Sequence, residues 1–122
     1  MNKAVLSIGS NSHDKHSQIA NALKWLSFNL YNYSQSSIYS TPSTNGVGDD
    51  YLNIVVKGES VLDFYELNSL MKQYEKDSGR TPESKLKASI PIDIDIVIFN
   101  DIVIKPKDFN FDFFQIGYKE LV

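Results

Sequence analysis

Asp93 and Asp95 lie two residues apart in the stretch IPIDIDIVIF, which runs from Ile90 to Phe99. Their surroundings are apolar, and every even position from 90 to 98 is isoleucine. Alternate side chains of an extended strand share a face. The pattern therefore predicts the isoleucines at 90, 92, 94, 96 and 98 on a core face. It puts Asp93 and Asp95 on the other face, with Cα atoms roughly 6.5–7 Å apart. Aspartate is depleted in strands, and two like charges this close repel. One reading is a half-solvated sheet face that carries two acids. The other is a divalent-cation site: Mg²⁺ prefers hard oxygen ligands and is commonly held by one or two carboxylates plus substrate phosphates.

Little else in the chain offers chemistry of its own. Cysteine is absent, so disulfides, thiolate zinc sites and thiol nucleophiles are excluded. That suits a reducing cytoplasm. His13 and His16 are three apart with no third ligand close in sequence, and read as surface residues. Ser10 has no histidine at a telling spacing. The loop NGVGDD, residues 45–50, is glycine-rich but does not match a phosphate loop; it reads as a lid-like segment beside a site. A net charge of −3 argues against nucleic-acid binding through a basic surface. A polyphosphate would need local lysine or arginine, or bound cations. No stretch approaches the roughly 20 apolar residues of a membrane span, and the N-terminus makes a poor signal peptide.

The positioning elements follow from periodicity. Lys3 to Ser10 alternates as a strand, and Ile19, Ala22, Leu23 and Leu26 fall at helical spacing behind a cap at Ser12 or Asp14. Tyr33 to Tyr39 reads as a strand stopped by Pro42, and Tyr51 to Glu59 as the next. Phe64, Leu67, Met71 and Tyr74 mark a second amphipathic helix, opened by an Asp63/Glu66 capping box and closed by Gly79. RTPESKLKAS, from Arg80 to Ser89, reads as a polar loop. Asn100 and Asp101 are expected to turn the aspartate strand into a short hairpin partner. The order is β α β β α β plus a short extra strand. It predicts an α+β, ferredoxin-like antiparallel sheet with two helices on one face, within one domain of residues 1–122. The aromatic, acidic tail DFNFDFF, residues 108–114, either folds back as core or offers a surface to a protein partner.

Taken together, SIGSN, YSTP followed by DYLN, the E-x₃-G-R stretch from Glu75 to Arg80, and IDIDIVIF resemble the 6-hydroxymethyl-7,8-dihydropterin pyrophosphokinase family, in its order and spacing. The resemblance implies diphosphoryl transfer from ATP to the hydroxymethyl group of a pterin in folate synthesis. It implies two Mg²⁺ ions held by Asp93 and Asp95, and a pterin pocket at Asn11, Thr41, Pro42, Tyr51 and Asn53. An aromatic near Tyr118 is a further candidate to stack on the pterin. Arg80 would contact ATP phosphate as a catalytic cation, Glu75 would line the nucleotide site, and Lys85 and Lys87, with Lys119, would add positive charge. The family's arginine three residues before the first metal aspartate is Ile90 here, and its His-Tyr pair is Phe113-Phe114. The family's C-terminal segment, about thirty residues, is also expected to be missing relative to a chain of this length. Two readings stay open: a working enzyme, or a relative that binds pterin, nucleotide or a protein partner without turnover.

Overall fold

The computed structural model describes all of residues 1–122. Six strands form one antiparallel sheet: β1 (Asn2–Ser10), β2 (Tyr31–Gln35), β3 (Tyr39–Thr41), β4 (Tyr51–Ser60), β5 (Asp93–Phe99) and β6 (Ile102–Val103). The strand order is β2-β4-β1-β5-β6, with β3 also paired to β4. Five helices accompany it: α1 (Lys15–Asn29), α2 (Phe64–Asp77), α3 (Pro82–Leu86), α4 (Pro106–Phe109) and α5 (Asp112–Leu121). The expected α+β order of elements is present, and no helix is long and apolar enough to cross a membrane.

Helices α1 and α2 bury Ile19, Ala22, Leu26, Leu67 and Met71 against Leu6, Ile8, Ile54, Ile92, Ile94 and Ile96 of the sheet side. The Trp25 and Tyr74 rings pack at 4.3 Å between the two helices. The Asp63/Glu66 capping box starts α2 as expected. Asp14 sits at the N-cap of α1 but makes no side-chain bond to the helix backbone, accepting from the Ser12 hydroxyl instead. Asn100 and Asp101 both take positive φ, 49° and 66°, and turn β5 into β6. That pair of left-handed residues matches the right-handed twist of the flanking strands.

Four features depart from the sequence expectation. The strand through Tyr33 and Tyr39 is broken into β2 and β3, because the Ser36 hydroxyl, rather than a backbone carbonyl, accepts from the Val55 N–H. Residues 82–86 of the expected polar loop form α3, with Pro82 in the first turn, where its missing N–H costs nothing. The isoleucine stripe does not keep one face throughout. The register of β5 against β1 slips between Val5 and Leu6, so Ile98 joins Val97 in a second core, while Ile90 is buried in the loop ahead of the strand. Such a bulge reverses side-chain facing beyond it. Finally, the sheet carries cover on its second face too: the tail takes the core alternative and folds back as α4 and α5, with Phe114 fully buried beside Val55, Val97 and Ile98. Gly117 permits the close approach: a Cβ there would lie 2.7 Å from Val55 and 2.8 Å from the Tyr39 oxygen.

Candidate active site

Strand register brings the sequence candidates into one row. Asn53 on β4 pairs with Gly9 on β1, and Gly9 pairs with Asp93 on β5. One step along, Ser7 lies between Val55 and Asp95. Because α5 covers only the far part of this face, the near end stays open as a cavity of about 180 Å³. Its lining includes Gly9, Thr41, Pro42, Tyr51, Asn53, Asp93 and Phe113. Gly9 supplies the floor by lacking a side chain; a Cβ there would meet the Tyr51 ring at 3.3 Å and Asn53 Oδ1 at 3.4 Å.

The Asn53 side chain is buried and oriented. Its Nδ2 donates to Thr41 Oγ1 at 2.8 Å, and more weakly to the Tyr39 and Tyr51 carbonyls. None of these bonds uses Oδ1, which is left to accept from a ligand over Gly9. The Tyr39 hydroxyl donates to the Phe113 carbonyl at 2.6 Å, holding Phe113 at the mouth of the cavity. Burial pushes the Tyr39 phenol up to about 12, so it remains a donor at neutral pH. Burial also raises the Tyr51 phenol. Phe113 stands where the family resemblance expects histidine; its place in the cavity lining depends on how α5 docks and carries no local signal. Tyr118 does not take that place. It stacks on Phe114 at 5.1 Å, in the second core.

On the other side of Asp93 lies a wider cleft of about 550 Å³, lined by Lys72, Glu75, Lys76, Arg80, Thr81, Pro82, Lys85, Asp93 and Asp95. It forms along the open edge of β5, since β6 pairs only with Ile98 and Phe99. Side chains of α2 and of the turn after it replace the missing neighbour strand. Glu75 Oε2 accepts from the Ile94 N–H at 2.8 Å, Lys72 donates to the Ile94 carbonyl at 2.9 Å, and Arg80 donates to the Ile92 carbonyl at 3.3 Å. An exposed strand edge is thereby satisfied and hidden. Arg80 reaches this position because α2 ends in a paired turn. Gly79 at φ +100° donates to the Lys76 carbonyl and Arg80 N–H to the Glu75 carbonyl, the Schellman pattern that only a left-handed residue closes cheaply.

The charges interlock at this edge. Arg80 Nη1 bonds Asp93 Oδ1 at 2.7 Å and Glu75 Oε1 at 3.1 Å. Its Nη2 and Nε are used by none of the protein's hydrogen bonds. Asp95 Oδ1 accepts from both Lys72, at 3.1 Å, and Lys105, at 2.8 Å. Partial burial and the neighbouring Asp95 charge raise Asp93 to about 7, against the pull of Arg80. Burial alone would raise Asp95 too, but the Lys72 charge and the hydrogen bond from Lys105 bring it down to about 2. The donor set fits a hard divalent ion: two carboxylates on one face, 37% and 14% exposed, opening onto a cleft lined by cations. No third His, Cys, Asp or Glu completes a metal cluster with them, so the remaining ligands would be phosphate oxygens and water.

Two other residues sit differently from their expected roles. Asn11 is buried, and its amide is engaged by the protein: Nδ2 donates to the Ala88 and Asp49 carbonyls, and Oδ1 accepts from the Ile90 N–H at 2.6 Å. It clips the 42–50 loop to the 82–92 segment instead of facing the cavity. Lys85 lines the cleft, but Lys87 does not. Lys87 is 74% exposed and pairs with Glu83. Lys72 and Lys105, which sequence reasoning passed over, make the closest lysine contacts to the carboxylates. Lys72 sits one helical turn before Glu75, a spacing that offered a signal; Lys105 offered none.

Residues 5–121 match the family described as 7,8-dihydro-6-hydroxymethylpterin-pyrophosphokinase (HPPK). The chain is 34% identical over 108 residues to the folic acid synthesis protein FOL1 of Dictyostelium discoideum, an alignment covering 88% of this chain but 16% of that protein. It is 32% identical over 108 residues to the 2-amino-4-hydroxy-6-hydroxymethyldihydropteridine pyrophosphokinase of Aquifex aeolicus, covering 88% of this chain and 67% of that protein. A small cavity and a cation-lined cleft meeting at an aspartate pair, on a chain matched along nearly its whole length, lead to one conclusion: the chain belongs to the HPPK family.

Proposed function

We propose that this chain transfers a diphosphoryl group from ATP to the hydroxymethyl group of 6-hydroxymethyl-7,8-dihydropterin, with Mg²⁺, as a cytoplasmic step of folate synthesis. One observation carries the reading: Asp93 lines both the small cavity and the wide cleft. A group bound in one can therefore be passed to a group bound in the other across a single carboxylate. The pterin hydroxyl oxygen bonds to the β-phosphorus, the bond from that phosphorus to the α-bridging oxygen breaks, and AMP and one proton leave.

Each residue does physical work in this scheme. Asn53 Oδ1 accepts from the pterin edge, Thr41 Oγ1 keeps Asn53 oriented, and Tyr51 and Phe113 offer apolar faces to a flat ring. Arg80 keeps Nη2 and Nε for phosphate oxygens while Glu75 and Asp93 hold Nη1. Lys85 adds charge along the cleft. Asp93 and Asp95 would hold Mg²⁺, which when bound neutralises phosphate charge and aligns the transfer.

A specific observation also supports binding without turnover. Ile90 and Phe114 stand where the family has arginine and tyrosine, both are buried, and Arg80 is the chain's one arginine. The test is AMP release from ATP and Mg²⁺ in the presence of the pterin. Turnover that disappears in Asp95→Ala supports the enzyme. Quenching of pterin fluorescence with no AMP released supports binding alone. Absence of both rejects the cavity assignment.

A further inference from the structure

Building on the nucleotide reading of the cleft, we infer that Lys105 is a mobile phosphate-binding cation: it rests on Asp95 and moves onto the nucleotide's phosphates when a divalent ion claims that carboxylate. The two lysines on Asp95 Oδ1 are not equivalent. Lys72 is held at three points, donating to Asp95, to Glu75 at 3.0 Å and to the Ile94 carbonyl at 2.9 Å. Its three N–H donors are spent within the protein. Lys105 makes one side-chain bond, to Asp95 at 2.8 Å, and its side chain is 41% exposed. Any cation approaching Oδ1 must displace an ammonium, and the singly held one yields first.

The backbone limits where Lys105 can go. The Val97 carbonyl, at the β5 bulge, accepts from both the Ile104 N–H at 2.8 Å and the Lys105 N–H at 3.3 Å. Pro106 then starts α4 directly after it. The base of the side chain is thus fixed beside Asp95, and only the flexible stem swings. Charge balance gives the swing a direction. At the carboxylate pair, Glu75, Asp93 and Asp95 face Lys72, Arg80 and Lys105. These three cations are committed to carboxylates until a divalent ion replaces one of them. The ion that accompanies a nucleotide would thereby free an ammonium next to the phosphates, in a chain whose single arginine has only Nη2 and Nε to offer them. Lysine suits this use, since its compact charge on a four-carbon stem needs no fixed fork geometry.

The discriminating experiment measures two affinities in Lys105→Met and Lys105→Arg. The first is for Mg²⁺ with α,β-methylene-ATP, which cannot release AMP, by calorimetry. The second is for Mn²⁺ alone, by electron paramagnetic resonance. In Lys105→Met the nucleotide analogue should bind on the order of ten-fold more weakly, the loss of one charge-assisted contact. Mn²⁺ alone should bind more tightly, its competitor being gone. Lys105→Arg should restore most of the analogue affinity. A purely structural lysine would weaken both affinities and lower the melting temperature of Lys105→Met, which overturns the inference. Unchanged analogue affinity in Lys105→Met, with the wild type binding normally, also overturns it and leaves the nucleotide reading intact. Failure of the wild type to bind the analogue rejects both.

Discussion

Replacing Glu75 with glutamine tests whether a buried carboxylate, more than apolar packing, fastens α2 to the open edge of β5. Glu75 is 5% exposed and accepts from the Ile94 N–H, Lys72 and Arg80. Glutamine keeps the volume and one acceptor oxygen, enough for the Ile94 N–H. Its amide nitrogen then confronts one of the two cations. The Arg80 bond is lost and the Lys72 bond, on the oxygen shared with the Ile94 N–H, loses its ionic acceptor; charge-assisted contacts of this kind contribute about 1.5–3 kcal/mol each if fully buried. The lysine and arginine are 35% and 30% exposed and can turn to water, so the net loss is discounted to about 2–3 kcal/mol. With about 2.1 cal/mol/K of unfolding entropy per residue, the chain has roughly 0.26 kcal/mol/K, and the melting temperature should fall by about 8–12 °C. Calorimetry gives the melting temperature, and hydrogen exchange at Ile94 reports the edge itself. A variant melting within about 2 °C of the parent, with Ile94 equally protected, would refute the argument that Glu75 carries this junction.

Three further outcomes follow from the same geometry. Gly9→Val should abolish pterin binding, read by fluorescence, while the melting temperature holds within a few degrees; β1 tolerates a β-branched residue, but the side chain fills the cavity floor. Asn11→Ala should cost about 2–3 kcal/mol by leaving the buried Ile90 N–H and Ala88 carbonyl unpaired. Hydrogen exchange should then rise in both clipped loops and not in α1. For pH, the metal-free protein should be most stable near pH 4, checked by urea unfolding. Asp93, with its folded pKa raised from 3.8 to about 7, binds its proton more tightly folded than unfolded. Its contribution is complete below about 3.8 and is lost progressively as pH rises from there through 7. Asp95, lowered to about 2, contributes stability above 3.8 that is lost as pH falls toward 2.

Sequence alone determined what depends on short-range rules. The period of 2 in IDIDIVIF put Asp93 and Asp95 on one face, and the period near 3.6 in residues 64–74 made α2. Asp63, Gly79 and the Asn100-Asp101 pair marked their caps and turn, because capping and left-handed φ are local properties. The row Asn53, Gly9, Asp93 was half legible: the residues were evident, but the register that aligns them needs three strands at once. The bulge that turns Ile98 away lies in the pairing of β5 with β1, not in the residues of β5 themselves. The docking of α5, which brings Phe113 to the cavity and buries Phe114, was decided by tertiary packing. So were the engagement of Asn11 and the meeting of Lys72 with Lys105 at Asp95. Contacts between residues far apart in sequence form only where the fold closes the space between them, and no local pattern encodes that distance.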